Sequence, residues 1–208
     1  MRWLAAGVVS FGLFVALGLA VAGQPLGIDM SVAGAFEGMW RGTPGRVTTV
    51  VSDVVGLVLP AVLMVGVLLG AVLAWYRGAR HEAGIALRVL VVYALGRSVS
   101  WLGKPLFERA RPRTYTQFSY PSGHVVSVAS AGLAAVLLCV CLAPRLVRWV
   151  APAVGVATML VALTRLVLGV HWLTDTVGAV LGVLGIGLAG ASVLRLLPRP
   201  VSAQTPAA

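Results

Sequence analysis

Charged residues are scarce in this 208-residue chain, at 11% of the total, and acids are the scarcest, with six Asp and Glu against sixteen Lys and Arg. Hydrophobic residues make up 59% of the sequence. A soluble globular domain carries about 25% charged residues. The composition of this chain therefore excludes a soluble globular domain. It predicts an integral membrane protein surrounded by lipids.

The residues that build disulfides and metal sites are also few. Cys139 and Cys141 lie two positions apart in one apolar run, where they point in different directions on a helix, so we interpret them as small apolar residues. The acids other than Asp175 are scattered: Asp29, Glu37, Asp53, Glu82 and Glu108. A two-metal site needs acids or histidines clustered at short spacing, so we expect no metal and no cofactor.

Six apolar runs are long enough to cross a hydrocarbon core of about 30 Å, which takes roughly 20 helical residues. They cover residues 3–22, 54–76, 85–102, 123–143, 150–168 and 176–197. Five of the six tryptophans lie at the ends of these runs, as expected of a residue that prefers the membrane–water interface. We therefore predict an all-α fold, an integral membrane six-helix bundle in one domain over residues 1–197, with a disordered tail over residues 198–208.

The first run has a second interpretation as a cleaved signal peptide, because Arg2 precedes it and small residues occupy positions 20–22. Its length favours a retained helix. After it, Ile28, Val32, Phe36 and Trp40 recur every four residues, which predicts a short amphipathic helix lying in the interface between helices one and two. The Gly-Thr-Pro-Gly cluster at 42–45 is expected to end that helix.

The net charge of +10 would suggest nucleic acid for a soluble protein, but here the arginines cluster between the apolar runs. That pattern is typical of residues flanking a membrane, so we expect no nucleic-acid partner. The protein has a single lysine, Lys104, in the most charged part of the sequence. Because Pro105 and Pro112 interrupt this part, we expect an ordered loop over residues 104–113.

The stretch Tyr120-Pro121-Ser122-Gly123-His124 opens the fourth apolar run. It indicates a turn followed by a helix start, with Ser122 placed to cap the helix. The N–H groups of such a first turn attract anions, above all phosphate, and His124 adds a group that exchanges a proton near neutral pH. Taken alone, the stretch fits equally well a capped transmembrane helix with an interfacial histidine.

Alternation of the spans puts the end of span three, the start of span four and the connection between spans five and six on one face of the membrane. This brings together Lys104, Arg111, Ser122, Gly123, His124, Arg165, His171 and Asp175. Asp175 lies four residues after His171, one helical turn away, where it can accept a hydrogen bond from one ring nitrogen and leave the other free to attack. The alternative is a carboxylate stabilised only by the helix dipole.

These residue types suit a phosphoryl group. Three cations and a helix N-terminus would bind it, one oriented histidine would attack it, and a second would protonate the leaving oxygen. Arg97, seven residues before Lys104 and on about the same helix face, has two interpretations. It either binds a second phosphate of a diphosphate or pairs with Asp53, and we favour the pairing because intramembrane charges usually pair.

The order of these motifs resembles the signature of a known family. Six residues separate Lys104 from Arg111-Pro112, and Pro121-Ser122-Gly123-His124 follows. Five residues separate Arg165 from His171, and three separate His171 from Asp175. This three-part pattern is similar to that of the type 2 phosphatidic acid phosphatase superfamily. Thr164 stands where that family usually has Ser and keeps a hydroxyl, and the link between Pro112 and Pro121 is short.

The resemblance implies a role for each matching residue. Lys104, Arg111 and Arg165 would bind the phosphate with the Ser122–Gly123 region. His171 would be the nucleophile that forms a phosphohistidine, Asp175 would orient it, and His124 would be the acid that later activates water.

The resemblance also implies a lipid phosphate substrate, and several remain open: a polyprenyl diphosphate such as undecaprenyl diphosphate, phosphatidate, phosphatidylglycerophosphate or a polyprenyl-phosphoryl sugar phosphate. A non-catalytic lipid-phosphate binding or transport protein is the alternative, although binding alone does not require the pairing of His171 with Asp175. Vanadium-dependent halogen oxidation, which the superfamily fold also supports, fits six membrane spans poorly.

The cations predict the side on which the site opens. Eight arginines flank helices at the end of the bundle that holds both termini, and eight cations lie at the other end. Three of the cations at the other end, Lys104, Arg111 and Arg165, would be held there by the chemistry of the site. Without them, five cations remain at that end against eight at the end with the termini. The positive-inside rule then favours cytoplasmic termini and an extracytoplasmic site in a multi-pass protein of the cell membrane.

Overall fold

The computed structural model describes residues 1–114 and 116–197, and within these ranges every regular element is helical. In chain order the helices are α1 (Arg2–Val21), α2 (Gly27–Ala35), α3 (Gly42–Asp53), a π-helical segment (Val54–Val58), α4 (Leu59–Tyr76), α5 (Arg80–Phe107), α6 (Gly123–Leu142), a 3₁₀ turn (Pro144–Leu146), α7 (Val147–Val167) and α8 (Leu173–Val193). Six helical stretches are long and apolar enough to cross a membrane. The predicted all-α six-helix bundle is confirmed, while the predicted disordered tail lies outside the described residues.

Helix α8 is the centre of the bundle and packs against α1, α5 and α6. Its inner face carries Val183, which joins Val99 of α5 and Val126 of α6 in one buried cluster. The outer faces of the spans expose large aliphatic side chains, such as Leu69 at 62% and Met159 at 74%. This pattern suits a bundle whose surroundings are lipid.

An aromatic cluster beneath the loop that precedes α6 joins helices α1, α5 and α8. The Tyr120 ring stacks on Phe14 of α1, with centroids 5.4 Å apart, and meets Phe107 of α5 edge-on at 5.1 Å. Its hydroxyl donates to the Phe14 carbonyl over 2.6 Å. Gly178 of α8 leaves room for this ring, because a Cβ there would overlap it. The cluster therefore sets where the loop from Arg109 to Ser122 can lie.

The prediction of a loop from residue 104 onward is wrong, because α5 continues through Pro105 to Phe107. A proline ring costs about 3 kcal/mol inside a helix. Here the disruption falls in the last turn, and packing of Phe107 against Phe14 and Tyr120 holds that turn in place. Glu108 then ends the helix in a left-handed conformation with φ of 46°, and the chain turns toward α8.

The cluster at 42–45 does not end a helix but begins one. Helix α3 starts at Gly42 and runs without a break through the π-helical segment into α4, giving a helical stretch of 35 residues from Gly42 to Tyr76. Pro44 is tolerated because it lies in the first turn, where backbone N–H groups have no helical partner. The second span thus starts twelve residues earlier than predicted and brings α3 against α7.

The predicted short helix between the first two spans is present as α2, which packs against α7 and α8 across one end of the bundle. It ends at Ala35, so Phe36 and Trp40 lie in the turns that follow. The fully buried residue of α2 is Asp29, at 0% exposure, and not a member of the apolar series. This helix therefore brings a carboxylate into the end of the bundle where α8 begins.

Candidate active site

A cavity of about 500 Å³ opens at the end of the bundle where α5 and α7 finish and α6 begins. Six of the eight predicted site residues line it: Lys104, Arg111, Gly123, His124, Arg165 and His171. The other two, Ser122 and Asp175, are each 0% exposed and lie behind the cavity wall. Four cations line the cavity once Arg97 is counted, so its chemistry suits an anion.

His171 presents one ring nitrogen to the cavity and the other to a carboxylate. Its Nδ1 lies 3.3 Å from Oδ2 of Asp175 and its Nε2 lies 3.4 Å from a terminal nitrogen of Arg111. A proton on Nδ1, donated to Asp175, leaves the Nε2 lone pair directed toward the cations. This is the arrangement that the four-residue spacing predicts.

Burial keeps the imidazole of His171 uncharged. The side chain is almost wholly enclosed, and loss of water lowers its pKa to about 3, even though the hydrogen bond and charge of Asp175 raise that pKa. Arg111 and Arg165 also lower it. The ring is therefore a free base at neutral pH, as attack by a lone pair requires.

Asp175 is held on both of its oxygens at the start of α8. Oδ2 accepts the backbone N–H of Trp172 over 2.8 Å, and Oδ1 accepts a hydrogen bond from the Arg109 guanidinium over 2.6 Å. The other terminal nitrogen of Arg109 lies 2.6 Å from Oδ2 of Asp29. Arg109 thus joins two buried carboxylates, one from α8 and one from α2.

Thr174 closes this network. Its N–H donates to one oxygen of Asp29 over 3.0 Å, and its hydroxyl bonds the other oxygen over 2.8 Å while accepting from Arg109 over 2.7 Å. Burial raises the pKa of Asp29, but the hydrogen bonds from Thr174 and Arg109 outweigh that effect and hold the pKa below its usual value. Asp29 is therefore a carboxylate. In the sequence it is one of the scattered acids, but in the structure it lies in the network behind the cavity. Sequence spacing offers no signal for a contact between residues so far apart in the chain.

The predicted phosphate-binding cations are fixed by carbonyl and hydroxyl oxygens. Lys104 Nζ donates to the Phe118 carbonyl over 2.7 Å, and Arg111 donates to the carbonyls of Gln117, Phe118 and Val170. Arg165 donates to the hydroxyl of Ser52, on α3, over 3.0 Å. These bonds place three positive charges around one cavity before any ligand arrives, so little reorganisation is needed to bind an anion.

The N-terminus of α6 also faces this region. Ser122 occupies the N-cap position, and its backbone N–H donates to the Asp175 carbonyl over 3.1 Å. Its side chain makes no capping bond, so that part of the prediction is wrong, and the buried hydroxyl has no hydrogen-bond partner among the described residues. The first turn of α6, beginning with Gly123, keeps N–H groups without helical partners at the cavity wall.

The second histidine has a carboxylate partner that the sequence did not indicate. His124 Nε2 lies 3.3 Å from Oδ1 of Asp53, the last residue of α3. The π-helical segment follows at once and presents Gly56 to the ring, where an added Cβ would lie 3.1 Å from the imidazole. Short π-helical segments are frequent at functional sites, and this one positions both neighbours of His124.

The favoured pairing of Arg97 with Asp53 is wrong, because Asp53 lies against His124 instead. Arg97 donates to the Gly123 carbonyl over 3.3 Å and lines the cavity beside Ser100 and Trp101. No carboxylate pairs with it in the parts of the chain that the structure describes. A cation within a span that has no acidic partner is costly and is usually functional.

Comparisons with known proteins agree with this architecture. The family model of the PAP2 superfamily matches residues 85–196, more than half of the chain. Among solved structures, the chain is similar to the crystal structure of a transmembrane PAP2-type phosphatidylglycerolphosphate phosphatase from Bacillus subtilis, with a TM-score of 0.69 and 25% identity over 91% of this chain and 94% of that chain. No curated protein matches the chain. The chain therefore belongs to the PAP2 superfamily, as a membrane phosphatase.

Proposed function

We propose that the protein hydrolyses a lipid phosphate through a phosphohistidine formed on His171, without a metal ion. The observation that carries this proposal is the orientation of His171, whose Nε2 faces Arg111 while Nδ1 faces Asp175. A protein that only binds lipid phosphates needs the cations but has no need for an oriented base behind them. The cations supply the charge stabilisation that a metal ion provides in other phosphatases.

The first half of the reaction forms the phosphoenzyme. The Nε2 lone pair of His171 bonds to phosphorus while the bond from phosphorus to the lipid oxygen breaks, and that oxygen takes a proton from His124. Asp175 accepts the hydrogen bond of the Nδ1–H as the ring becomes positive. Lys104, Arg111 and Arg165 offset the charge on the phosphoryl oxygens.

The second half releases phosphate. His124, now without its proton, removes one from water as the water oxygen bonds to phosphorus. The bond from phosphorus to Nε2 breaks, and its electron pair returns to the ring. The products are inorganic phosphate and the dephosphorylated lipid, and both histidines regain their starting states.

The proposal is tested by release of inorganic phosphate from a panel of short-chain lipid phosphates and diphosphates in detergent micelles. We expect activity that persists in a chelator, is inhibited by vanadate and is abolished in His171→Ala, with unchanged elution on size-exclusion chromatography. His81→Ala is the matched control, because His81 is exposed at the opposite end of the bundle. Substantial turnover by His171→Ala, or recovery of chelated enzyme by a divalent ion, would contradict the proposal.

Arg97 favours substrates that carry a second phosphate on the lipid side of the reacting one. It lies seven residues before Lys104 on α5, which places it roughly 10 Å deeper along the helix. Both a polyprenyl diphosphate and phosphatidylglycerophosphate have such a group, whereas phosphatidate does not. The similar solved structure is described as a phosphatidylglycerolphosphate phosphatase, which agrees with this class.

The substrate class is tested with Arg97→Gln. We expect kcat/KM for the two-phosphate lipids to fall about 10- to 100-fold, since a hydrogen bond to a charged group contributes about 1.5–3 kcal/mol. Hydrolysis of phosphatidate should stay within twofold, and the exposed Arg46→Gln is the control for charge removal on the same face. Equal losses for all substrates would remove the support for a second phosphate site.

We further propose that the site faces the extracytoplasmic side, where it would act on outer-leaflet lipids. The support is the count of cations: once the three proposed phosphate-binding residues are set aside, eight lie toward the end that holds the termini and five toward the cavity, and the positive-inside rule places the richer end in the cytoplasm. In a variant with Cys139 and Cys141 replaced by Ala, a cysteine at Thr116 should react with a membrane-impermeant thiol reagent in intact cells. A cysteine at Ala79 should not react with this reagent. If the cysteine at Ala79 reacted and the one at Thr116 did not, the site would face the cytoplasm.

A further inference from the structure

Arg109 lies between the two best-buried carboxylates in the described part of the chain. Its side chain is 2% exposed, and those of Asp29 and Asp175 are 0% exposed. Although Arg109 is only two residues from Arg111, it does not line the cavity, because the left-handed turn at Glu108 directs the chain toward α8. This guanidinium is therefore not a phosphate-binding group.

The charges of this network do not cancel. Two carboxylates and one guanidinium leave one negative charge in a place that excludes water, and the nearest neutral base is His171, 3.3 Å from Asp175. If Asp29 were uncharged, Arg109 would have Asp175 as its one carboxylate partner and would offset more of its charge. The carboxylate behind the histidine would then stabilise a positive ring much less, because nearby opposite charges favour the charged form of a group.

We infer that Asp29 is a positioning residue for phosphoryl transfer, which pairs with Arg109 so that Arg109 does not fully offset the negative charge of Asp175 and so that Asp175 keeps its orientation toward His171. This inference rests on the proposed phosphohistidine mechanism. Asp29 reaches the site from α2, outside residues 85–196 that the family model matches. It touches neither the cavity nor His171, so its effect passes through Arg109 and Asp175.

The contacts of Asp29 suit this role. Both of its oxygens are engaged, by the Thr174 N–H and hydroxyl, by Arg109 and, over 3.2 Å, by the backbone N–H of Leu26. Thr174 is the residue before Asp175, so the same bonds fix the start of α8. A role limited to anchoring α2 would also require these bonds, and only the kinetics of altered charge distinguish the two.

The experiment compares Asp29→Asn with the double variant Asp29→Asn/Arg109→Gln, using dioctanoyl phosphatidate in micelles. Asp29→Asn removes the net negative charge of the network, and the double variant restores it. For Asp29→Asn we expect kcat per folded protein to fall on the order of 10- to 100-fold, as for carboxylates behind metal-bound histidines, while KM stays within twofold. The kcat of the double variant should be at least fivefold higher than that of Asp29→Asn.

The matched control is Glu37→Gln, which removes an exposed carboxylate from the segment just after α2 and should leave kcat unchanged. Folded protein is counted by size-exclusion chromatography, so a variant that folds poorly still yields a rate for its folded fraction. A normal kcat per folded Asp29→Asn protein, or a double variant slower than the single one, would overturn the inference. Activity retained in His171→Ala would instead remove the proposed mechanism beneath it.

Discussion

Two histidine–aspartate pairs meet at this cavity with the same separation, 3.3 Å between a ring nitrogen and a carboxylate oxygen. Their surroundings differ. The side chains of His171 and Asp175 are 2% and 0% exposed, whereas those of His124 and Asp53 are 20% and 53% exposed. Equal distances therefore do not mean equal interactions, because a charge shared with water is screened and one held among buried groups is not.

The difference matches the two roles that the proposed reaction needs. A nucleophile must stay uncharged and keep one orientation, which burial and the Arg109 network provide for His171. A group that gives and then takes a proton in each cycle must exchange it readily, and the greater exposure of His124 and Asp53 permits that. We therefore expect identical substitutions in the two pairs to have very different effects on kcat.

The largest effect is expected for Asp175→Asn. An Asn cannot fix the same tautomer of His171 or stabilise its positive charge, and the corresponding change behind another catalytic histidine lowers kcat about 10⁴-fold. We expect a loss of several orders of magnitude in kcat for phosphatidate, measured by phosphate release. A loss below tenfold would show that the buried pair is only structural.

His124→Ala should have the next largest effect, and the loss should depend on the substrate. General acid catalysis contributes about 10²- to 10⁴-fold, and it matters most when the leaving oxygen is a poor leaving group. We expect a larger fall in kcat/KM for phosphatidate than for p-nitrophenyl phosphate, whose phenolate leaves without a proton. Equal losses for the two substrates would contradict the role of His124 as the acid.

Asp53→Asn should change the rate only slightly. An exposed ion pair contributes roughly 0–1 kcal/mol, which corresponds to a change in kcat of less than about fivefold. Asp175→Asn is the matched comparison, since it makes the same isosteric change in a carboxylate that lies at the same distance, 3.3 Å, from a histidine nitrogen. If Asp53→Asn were as damaging as Asp175→Asn, exposure would not be what separates the two pairs.

The smallest expected effect is that of a change in pH on His171, whose ring should not gain a proton. Because its pKa is lowered to about 3, the ring is uncharged throughout pH 5–8, while a histidine in water gains its proton below about pH 6.5. The side-chain resonances of ¹⁵N-labelled His171, assigned by their loss in His171→Ala, should not shift over this range. A midpoint between pH 5 and pH 8 would show that burial does not control this ring.

Much of the fold and part of the site were predictable from sequence. The length of apolar runs is set by the bilayer, so the six spans were visible, although their ends were misplaced where Pro44 and Pro105 lie within first and last turns. The residues lining the cavity were predictable because span alternation brings three motifs to one face. His171 and Asp175 are one helical turn apart, so even their contact followed from spacing.

The partners that surround those residues were not predictable in the same way. Asp29 and Arg109 are 80 positions apart, and Asp53 and His124 are 71 apart. No periodicity links such pairs, and each depends on how a neighbouring helix is oriented. The start of α3 at Gly42 and the π-helical segment decide where Asp53 lies, while the packing of α2 on α8 decides where Asp29 lies. Scattered acids in a sequence were therefore a poor guide to which acids reach the site.

The proposed mechanism requires that His171 carry the phosphoryl group, and trapping that group on the protein is the clearest test. A ³²P-labelled p-nitrophenyl phosphate, whose phenolate leaves without a proton, is mixed with His124→Ala, in which hydrolysis of the intermediate should be slow, and the protein is denatured with alkali within one turnover. We expect label on the protein that survives alkali, is lost in acid and maps to the peptide containing His171, with none in His171→Ala/His124→Ala. Label on another residue, or turnover with no labelled protein, would contradict it.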